Sequence, residues 1–598
     1  MEKIKEKVND TRSKFMVRFF CLDTILLNYH SFLQLANCYH PCSRCSRHCH
    51  RQHGRPSETC KFFQDSDIIK SDICSQDQID RRLKFIEKKL GHRVVPQAKY
   101  DSKEQKKREC HEETRKGVLD DIKQWTDTYS DTKNCWWITG KPAVGKSTIG
   151  AKSAEAFEDE NCLYAQYFIT RSIASTTDPE NILPTMAQQL AENSLFAAQA
   201  IQDKLEKTPL SVVKKFSDDQ AKALLLEPLR AISQYAPKAV VIIDGVDELA
   251  NTEPSILSKV TSVLCSIMSD LPANVKILIF SRPEQSITAK IPLHIKRLNL
   301  ATKDSEDDVE RLVRAKLNIL AEFHEWNDWP CEVQVSMLCR HAAGHLGLAA
   351  TALRWIASEF ESEGRVRRDE VIEEVSQLGT GELDELYAFI LHRILPQNPA
   401  RIKSYLKGLK AVLGCLVVLQ EPLDIGSIST LLSLDDFDVQ HCMKRISSLI
   451  VDGTEPLTER TVPQVHKSFV DYLLSIRPLP DFRINPTESH HSLTTTCFKS
   501  IQMLPFNVGC ITSSHSYGDI SISRGVIYPC QWLGHHLENG GERSTLVRDV
   551  DKFMKNDFLQ WLEVLSLQKL VDSVAISTLK ILEKQIKVSI YLLTKYTY

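Results

Sequence analysis

The sequence has no long apolar segment. The chain has 598 residues, but its longest apolar runs, such as residues 411–419, fall well short of the ~20 residues that a membrane-spanning helix needs. Lys, Glu and Asp are mixed at the N-terminus before any apolar stretch, which is not the pattern of a signal peptide. We therefore expect an intracellular, cytoplasmic protein with no membrane span.

An excess of charge of one sign is also missing. The 75 Lys and Arg residues nearly balance the 77 Asp and Glu residues, so no nucleic-acid partner follows from the charge. With 42% hydrophobic and 25% charged residues, the composition is typical of a soluble chain of about three to five domains. The 18 cysteines are scattered, so we expect most of them to be reduced core residues and not a disulfide framework.

Several catalytic motifs are absent as well. The sequence contains no G-x-S-x-G, no H-E-x-x-H, and no G-x-G-x-x-G after a predicted strand. It also has no internal period of 20–50 residues, which excludes propeller, ankyrin and tetratricopeptide arrays. The chemistry that depends on these motifs therefore has no support in the sequence.

The motif that is present is a phosphate-binding loop. The run GKPAVGKS at residues 140–147 fits G-x-x-x-x-G-K-[ST], and it lies between a predicted strand at 135–139 and a predicted helix at 148–157. In such a loop the backbone N–H groups and the helix N-terminus face the phosphates, Lys146 adds a positive charge, and Ser147 offers a hydroxyl to Mg²⁺. The residues predicted to bind nucleotide here are Gly140, Lys141, Pro142, Ala143, Val144, Gly145, Lys146, Ser147 and Thr148.

Two further predicted strands end in charged residues. The apolar run 240–243 leads into Asp244, Asp247 and Glu248, and the run 276–280 is followed by Arg282. Because parallel strands deliver their C-terminal residues to one edge of a sheet, these side chains are expected near the phosphate loop. We predict that Asp244 and Ser147 hold Mg²⁺, that Asp247 or Glu248 orients an attacking water, and that Arg282 contacts the terminal phosphate.

The N-terminal region, residues 1–78, is rich in Cys and His. Cys42, Cys45, Cys49 and His53 form a candidate zinc site, but only Cys42-x-x-Cys45 has the standard spacing and no second C-x-x-C follows. We favour a Cys/His/Arg-rich segment that binds no metal, and keep zinc as the alternative.

The remaining pattern predicts five regions after residue 78. A helix and charged linker are expected at 79–116, a parallel sheet with helices on both faces at 117–298, a helical domain at 299–400, a winged helix at 401–484, and an all-helical region at 485–598. In the winged helix, three helices are followed by short strands at 449–451 and 462–465, with His466 directly after them.

These motifs, taken in order, resemble the NACHT-type nucleoside triphosphatases of the STAND class, particularly the fungal set related to heterokaryon-incompatibility proteins and to the nephrocystin-type N-terminal module. The resemblance runs over residues 80–598, from the segment before Arg115, through the three sheet motifs and the run AGHLGLA at 343–349, to the winged helix. It implies that Arg115 flanks the nucleotide and that His466 touches the diphosphate of a resting state.

The resemblance also implies a function. Such proteins are switches in which exchange of a diphosphate for ATP or GTP, with Mg²⁺, opens the chain and permits self-association, with slow hydrolysis resetting it. In fungi this serves self/non-self recognition or programmed cell death, through a protein effector. Proteins of this class usually sense a trigger through C-terminal repeats, so we expect a truncated or regulatory member. Two alternatives share the first motifs: a continuously cycling P-loop machine, and a scaffold that binds nucleotide without hydrolysing it.

Overall fold

A computed structural model describes most of the chain beyond the N-terminal region. The described residues are 76–102, 105, 114–128, 134–207, 215–251, 254–300, 305–363, 368–379, 381–396, 398–450, 465–509, 522–541 and 546–584. Apart from Lys584, they belong to one compact unit, Ser75–Glu583. The proposed zinc ligands Cys42, Cys45, Cys49 and His53 and the predicted strand residues 462–464 lie outside them.

A five-stranded parallel sheet forms the centre of the first half of this unit. Its strands are β1 (Cys135–Thr139), β2 (Leu163–Phe168), β3 (Ala239–Asp244), β4 (Val275–Ser281) and β5 (Lys296–Asn299). They are arranged in the order β2-β3-β4-β1-β5 and every pairing is parallel. All residues of β3 and β4 are buried, as expected for central strands covered on both faces.

Helices cover both faces of the sheet. They are α1 (Gln76–Leu90), α2 (Lys116–Asp127), α3 (Lys146–Asp159), α4 (Ala174–Thr177), α5 (Ile182–Asn193), α6 (Leu195–Lys207), α7 (Asp218–Ala221), α8 (Glu227–Ser233), α9 (Pro254–Ser266) and α10 (Gln285–Thr288). Alternate strand residues enter two separate cores. Trp137 packs in the core that contains α1, α5 and α6, whereas Trp136 packs in the core that contains α2 and α3. The predicted α/β architecture with helices on both faces is confirmed.

In the part of the chain after the sheet that the structure describes, the main elements are helices. They are α11 (Ser305–Phe323), α12 (Glu332–Ala342), α13 (Leu346–Glu363), α14 (Arg368–Ser376), α15 (Leu383–Arg393), α16 (Pro399–Val418), α17 (Ile425–Leu432), α18 (Asp436–Arg445), α19 (Lys467–Leu474), α20 (Pro486–Gln502), α21 (Arg524–Asn539), α22 (Leu546–Lys552) and α23 (Phe558–Leu567). Helices α16–α18 are followed by an antiparallel bridge between Ile450 and Val465 and then by α19. Three helices and an antiparallel pair, in this order, are the pattern of a winged helix.

The C-terminal helices pack on the winged helix. Helix α20 contacts α16 and α17, and α21 contacts α17. Gln420, just after α16, joins three parts of the molecule: its N–H donates to the Tyr528 hydroxyl at 3.3 Å, and its C=O accepts from the N–H of Ala174 at 3.0 Å. Tyr528 in turn bonds to the buried ring of His536 at 2.9 Å. The segment at Ala174, which follows β2, is therefore connected by hydrogen bonds to the C-terminal helices.

Two further findings concern the cysteines and the helices of the described residues. None of the nine cysteines there is in a disulfide, and seven of them are buried. Among the described helices, none has both the length and the apolar character that a bilayer span requires.

Candidate nucleotide site

The predicted phosphate loop joins β1 to α3 with an unusual backbone. Ala143 and Gly145 both have positive φ, 59° and 92°, on either side of Val144. Left-handed residues in such a turn direct successive N–H groups inward and form a concavity suited to an anion. Gly145 also caps the N-terminus of α3, which adds the positive end of a helix dipole. The loop therefore has the local geometry of a phosphate cradle.

The loop opens into a cavity of about 350 Å³ at the C-terminal edge of the sheet. Its charged lining residues are Arg115, Lys146, Arg171, Asp244, Asp247, Glu248, Arg282, Arg354 and Lys467. Among the described residues this wall has six cations and three carboxylates, a balance suited to a polyanion that brings a divalent cation. Lys146 and the acids after β3 lie at the same edge, as the sequence indicated.

Lys146 occupies a desolvated position. Its ammonium donates to the backbone carbonyls of Gly140 and Lys141, both at 2.8 Å. Burial lowers the pKa of Lys146 to about 8, against the attraction of Asp247, while Arg282 lowers it further. A phosphate beside this lysine would favour its charged form and raise the pKa again.

The lowered pKa of Lys146 makes triphosphate affinity depend on pH. Above about pH 8, binding must be coupled to uptake of a proton by Lys146, so the affinity should fall by up to about tenfold per pH unit. Calorimetric titrations of ATP and GTP from about pH 7 to about 9.5, in two buffers of different ionisation enthalpy, measure both affinity and proton uptake. In Lys146→Arg, whose guanidinium stays protonated, the remaining affinity should not show this decline. Constant affinity without proton uptake would contradict the prediction.

Asp247 is held from three directions. Its carboxylate accepts from the backbone N–H of Arg282 at 2.9 Å and lies 3.3 Å from the Arg282 guanidinium. Lys467, the first residue of α19, donates to the same carboxylate at 2.8 Å and to the Asp247 carbonyl at 3.0 Å. Burial alone would raise the pKa of Asp247, but Lys467, Lys146 and Arg282 outweigh it, and the pKa lies below its ordinary value. Asp247 is therefore ionised and engaged by the winged helix.

Glu248 and Arg282 have partners outside their own strands. A Glu248 carboxylate oxygen accepts from the backbone N–H of Arg171 at 2.7 Å, just beyond β2. The Arg282 guanidinium donates to Asp471 of α19 at 2.6 Å, and Arg171 donates to the other oxygen of Asp471 at 3.4 Å. These contacts to Arg171, Lys467 and Asp471 were not predicted from the sequence.

His466 lines the cavity as the N-cap of α19. Its ring nitrogen Nδ1 accepts from the N–H of Ser468 at 3.2 Å, and the Ser468 hydroxyl, itself within 2.8 Å of the Tyr387 hydroxyl, lies beside the same nitrogen. Nδ1 is thus used inside the protein, and the contact of His466 with a diphosphate stays a prediction.

Arg115 lies at the other end of the cavity. It has φ of 60° and its side chain is 3% exposed. Its guanidinium donates to the Val144 carbonyl at 3.2 Å, while its N–H donates to Asp308 of α11 at 3.1 Å. Arg115 therefore ties the helical domain to the phosphate loop, and the role beside the nucleotide stays a prediction.

The helical domain also touches the loop directly at Gly347. A Cβ built on Gly347, in the first turn of α13, would lie 2.2 Å from the Ala143 Cβ and 2.5 Å from the Ala143 carbonyl oxygen. No side chain fits in that space. The backbone of α13 therefore packs against the phosphate loop itself.

The protein groups near the loop suit magnesium. Ser147 and Asp244 line the same cavity, Asp244 is 1% exposed, and both offer the hard oxygen atoms that Mg²⁺ prefers. The described residues contain no cluster of three His, Cys, Asp or Glu side chains arranged to hold a metal ion. Mg²⁺ bound to a nucleotide does not need such a cluster, because phosphates and waters supply most of its ligands.

The comparisons with known proteins agree with this geometry. Residues 114–282 match the family described as nephrocystin 3, N-terminal, a span that runs from Thr114 to Arg282, both at the cavity. A search of curated proteins finds no significant match.

The solved structures that match are only distantly similar to this chain. A STAND-class signal transduction ATPase with a tetratricopeptide repeat sensor, from Pyrococcus horikoshii, has 14% identity and a TM-score of 0.38, over 80% of this chain and 57% of that one. Drosophila ORC bound to DNA has 13% identity and a TM-score of 0.28, and the match covers 72% of this chain and 97% of that one. Cdc6p from Pyrobaculum aerophilum has 12% identity and a TM-score of 0.26, and the match covers 64% of this chain and 96% of that one. The chain thus spans just over half the length of the Pyrococcus protein. All three TM-scores are below 0.5.

The fold and the family match lead to the same assignment. A parallel sheet in the order β2-β3-β4-β1-β5, with a phosphate loop after β1 and acids after β3, is a P-loop nucleoside-triphosphatase fold. Residues 114–282 therefore have the fold of a nucleotide-binding P-loop module, and their sequence is similar to the nephrocystin 3 N-terminal family.

Proposed function

We propose that this protein is a nucleotide-controlled switch of the STAND class. In the proposal, a diphosphate keeps the winged helix closed on the P-loop module, exchange for a triphosphate releases it, and the open form self-associates. Slow hydrolysis then restores the closed form. Self/non-self recognition or programmed cell death in fungi is the setting that the resemblance implies, and it belongs to the proposal.

The observation that carries the proposal is the contact of Lys467 with Asp247. Asp247 stands where a water-orienting acid is needed, yet it is bonded to an ammonium group from the first turn of α19. Both side chains are largely buried, at 14% and 4% exposed, so the contact is poorly screened by solvent. The winged helix therefore holds a residue of the reaction site in a non-reactive pairing, which is how a resting state is expected to look.

The protein's own residues have separate roles in this switch. Lys146 and the loop N–H groups bind the phosphates, Arg282 contacts the terminal phosphate, and Glu248 or the released Asp247 orients the attacking water. Mg²⁺, held by Ser147 and Asp244, would neutralise phosphate charge. ATP and GTP both remain candidates for the bound nucleotide.

Removing the Lys467 charge tests the switch. Lys467→Met keeps the aliphatic stem but removes the ammonium contact of the winged helix with Asp247, so self-association should require about 5- to 10-fold less triphosphate, and turnover should rise. The measurement is the mass of the full chain by native mass spectrometry, with ADP, ATP, GDP or GTP, alongside phosphate release. Lys410→Met is the matched control, because Lys410 lies on α16, outside the cavity wall, and donates to the Pro480 carbonyl.

The same measurements separate the alternatives. If the unaltered protein and Lys467→Met each have the same mass with diphosphate as with triphosphate, the proposed switch is wrong. Sustained multiple turnover without a change of mass would indicate a continuously cycling machine. Tight binding with neither hydrolysis nor a change of mass would indicate a scaffold that uses nucleotide only to stabilise its fold.

A further inference from the structure

Two arginines from neighbouring strands converge on one carboxylate of the winged helix. Arg171 follows β2 and Arg282 follows β4, on either side of β3 in the sheet. Asp471, in the middle of α19, accepts from both: its Oδ2 lies 2.6 Å from Nη1 of Arg282 and its Oδ1 lies 3.4 Å from Nη1 of Arg171. Both arginines line the cavity that contains the phosphate loop.

The backbone fixes both arginines at this place. The N–H of Arg171 donates to Glu248 at 2.7 Å, and the N–H of Arg282 donates to Asp247 at 2.9 Å. The two acids after β3 thus hold the start of each arginine side chain, one on each flank. The pair is a built anion site, because its spacing is set by the sheet and not by the residue that it binds.

We propose that Arg171 and Arg282 together bind the terminal phosphate of a triphosphate, and that Asp471 occupies this site in the closed protein as an internal competitor. A terminal phosphate presents three oxygens and about two negative charges, whereas the Asp471 carboxylate presents two oxygens and one charge. Asp471 is also 39% exposed, so solvent weakens its hold on the arginines. A triphosphate displaces Asp471, but a diphosphate has no group that reaches the site.

The inference rests on the proposed switch and adds the reason why it responds to one phosphate. When Asp471 leaves Arg171 and Arg282, α19 loses two of its ionic contacts to the P-loop module at once. Lys467, four residues earlier on the same helix, remains as the third contact. The preference for triphosphate over diphosphate is therefore set by a competition between two anions for two guanidinium groups.

Two substitutions with opposite effects test the competition. Asp471→Asn removes the competing charge and should increase the ratio of triphosphate to diphosphate affinity by about fivefold or more. Arg171→Gln removes half of the site and should lower that ratio by a similar factor, with diphosphate affinity nearly unchanged. The affinities are measured by calorimetry on the full chain, with ATP, ADP, GTP and GDP.

Matched controls use charged residues outside the cavity. Asp481→Asn changes an exposed acid ten residues further along the chain, and Arg230→Gln changes a surface arginine that pairs with Glu227. Neither substitution should change the ratio of triphosphate to diphosphate affinity. Circular dichroism and melting curves verify that each variant is folded, and both altered residues are partly exposed, at 39% and 27%.

The affinity ratios test the two-arginine site whether or not the protein self-associates. If either Asp471→Asn or Arg171→Gln leaves the affinity ratio within about twofold of its control, the two-arginine site is wrong, even if the protein still self-associates with triphosphate. If both ratios move in the expected directions but no nucleotide changes the mass, the site stands and the proposed switch fails.

Discussion

Lys146→Ala is expected to lower the affinity for a nucleoside triphosphate by at least about 100-fold, because at least two charge-assisted hydrogen bonds to phosphate oxygens are lost, each contributing about 1.5–3 kcal/mol. The fold should survive, since among the described residues the ammonium donates to the carbonyls of Gly140 and Lys141 alone, and alanine is well tolerated at a helix start. Calorimetric titration with ATP and GTP measures the loss, and native mass spectrometry reports nucleotide that remains bound after purification.

A second lysine on the same helix provides the control. Lys152 lies about 1.7 turns further along α3, pairs with Glu155 at 2.7 Å, and is not part of the cavity wall. Lys152→Ala removes the same charge from the same helix, so its affinity should stay within about twofold of the unaltered protein. If the two variants bind triphosphate equally well, the cavity is not the nucleotide site.

Gly347→Val is expected to damage the site from the opposite side. The added side chain would collide with the Cβ and carbonyl oxygen of Ala143, where even a single carbon is too close, at 2.2 Å and 2.5 Å. Overpacking of this kind costs about 1–3 kcal/mol and would force α13 away from the phosphate loop. We expect triphosphate affinity to fall by about 5- to 150-fold, together with a lower melting temperature, measured by calorimetry and thermal unfolding.

Gly408 separates this contact from a general effect of valine in a helix. It lies inside α16, and a Cβ built there would meet no atom within 4 Å. Gly408→Val should leave both nucleotide affinity and melting temperature nearly unchanged, since the new side chain enters open space. Equal losses in the two variants would show that the approach of α13 to the loop is not important for binding.

The motifs of the sheet could be predicted because their signals are local. The strand, loop and helix around residues 135–159 lie next to one another in sequence, and β3 and β4 are apolar runs that end in charged residues. A parallel sheet then brings the ends of β1, β3 and β4 to one edge. The strand order, with β4 between β1 and β3, was not predicted, because it depends on crossovers that leave no local pattern.

Two strands were missed for identifiable reasons. In β2, the polar Gln166 interrupts the apolar run, although it is 5% exposed and its N–H donates to Gln189 of α5. In β5, the residues Lys296, Arg297 and Asn299 read as a loop, because an edge strand needs no continuous apolar run. A buried polar residue with a distant partner cannot be recognised from its neighbours in sequence.

The residues that connect the domains could not be predicted for a related reason. Lys467 is 220 residues from Asp247, and Asp471 is 300 residues from Arg171. Lys467 and Asp471 are ordinary charged residues on a short amphipathic helix, and they gain these partners through the packing of α19 against the sheet. The role of His466 at the nucleotide was predicted only through the family resemblance, whereas its role as the N-cap of α19 is a property of the folded structure.

The two hydrogen bonds of Gln420 indicate which part of the molecule would move together with the winged helix. The bond to Tyr528 joins the winged helix to the C-terminal helices, whereas the bond to Ala174 joins the winged helix to the segment after β2. In the proposed switch, movement of the winged helix away from the sheet has to break the bond to Ala174 but can keep the bond to Tyr528, so the C-terminal helices would move together with the winged helix.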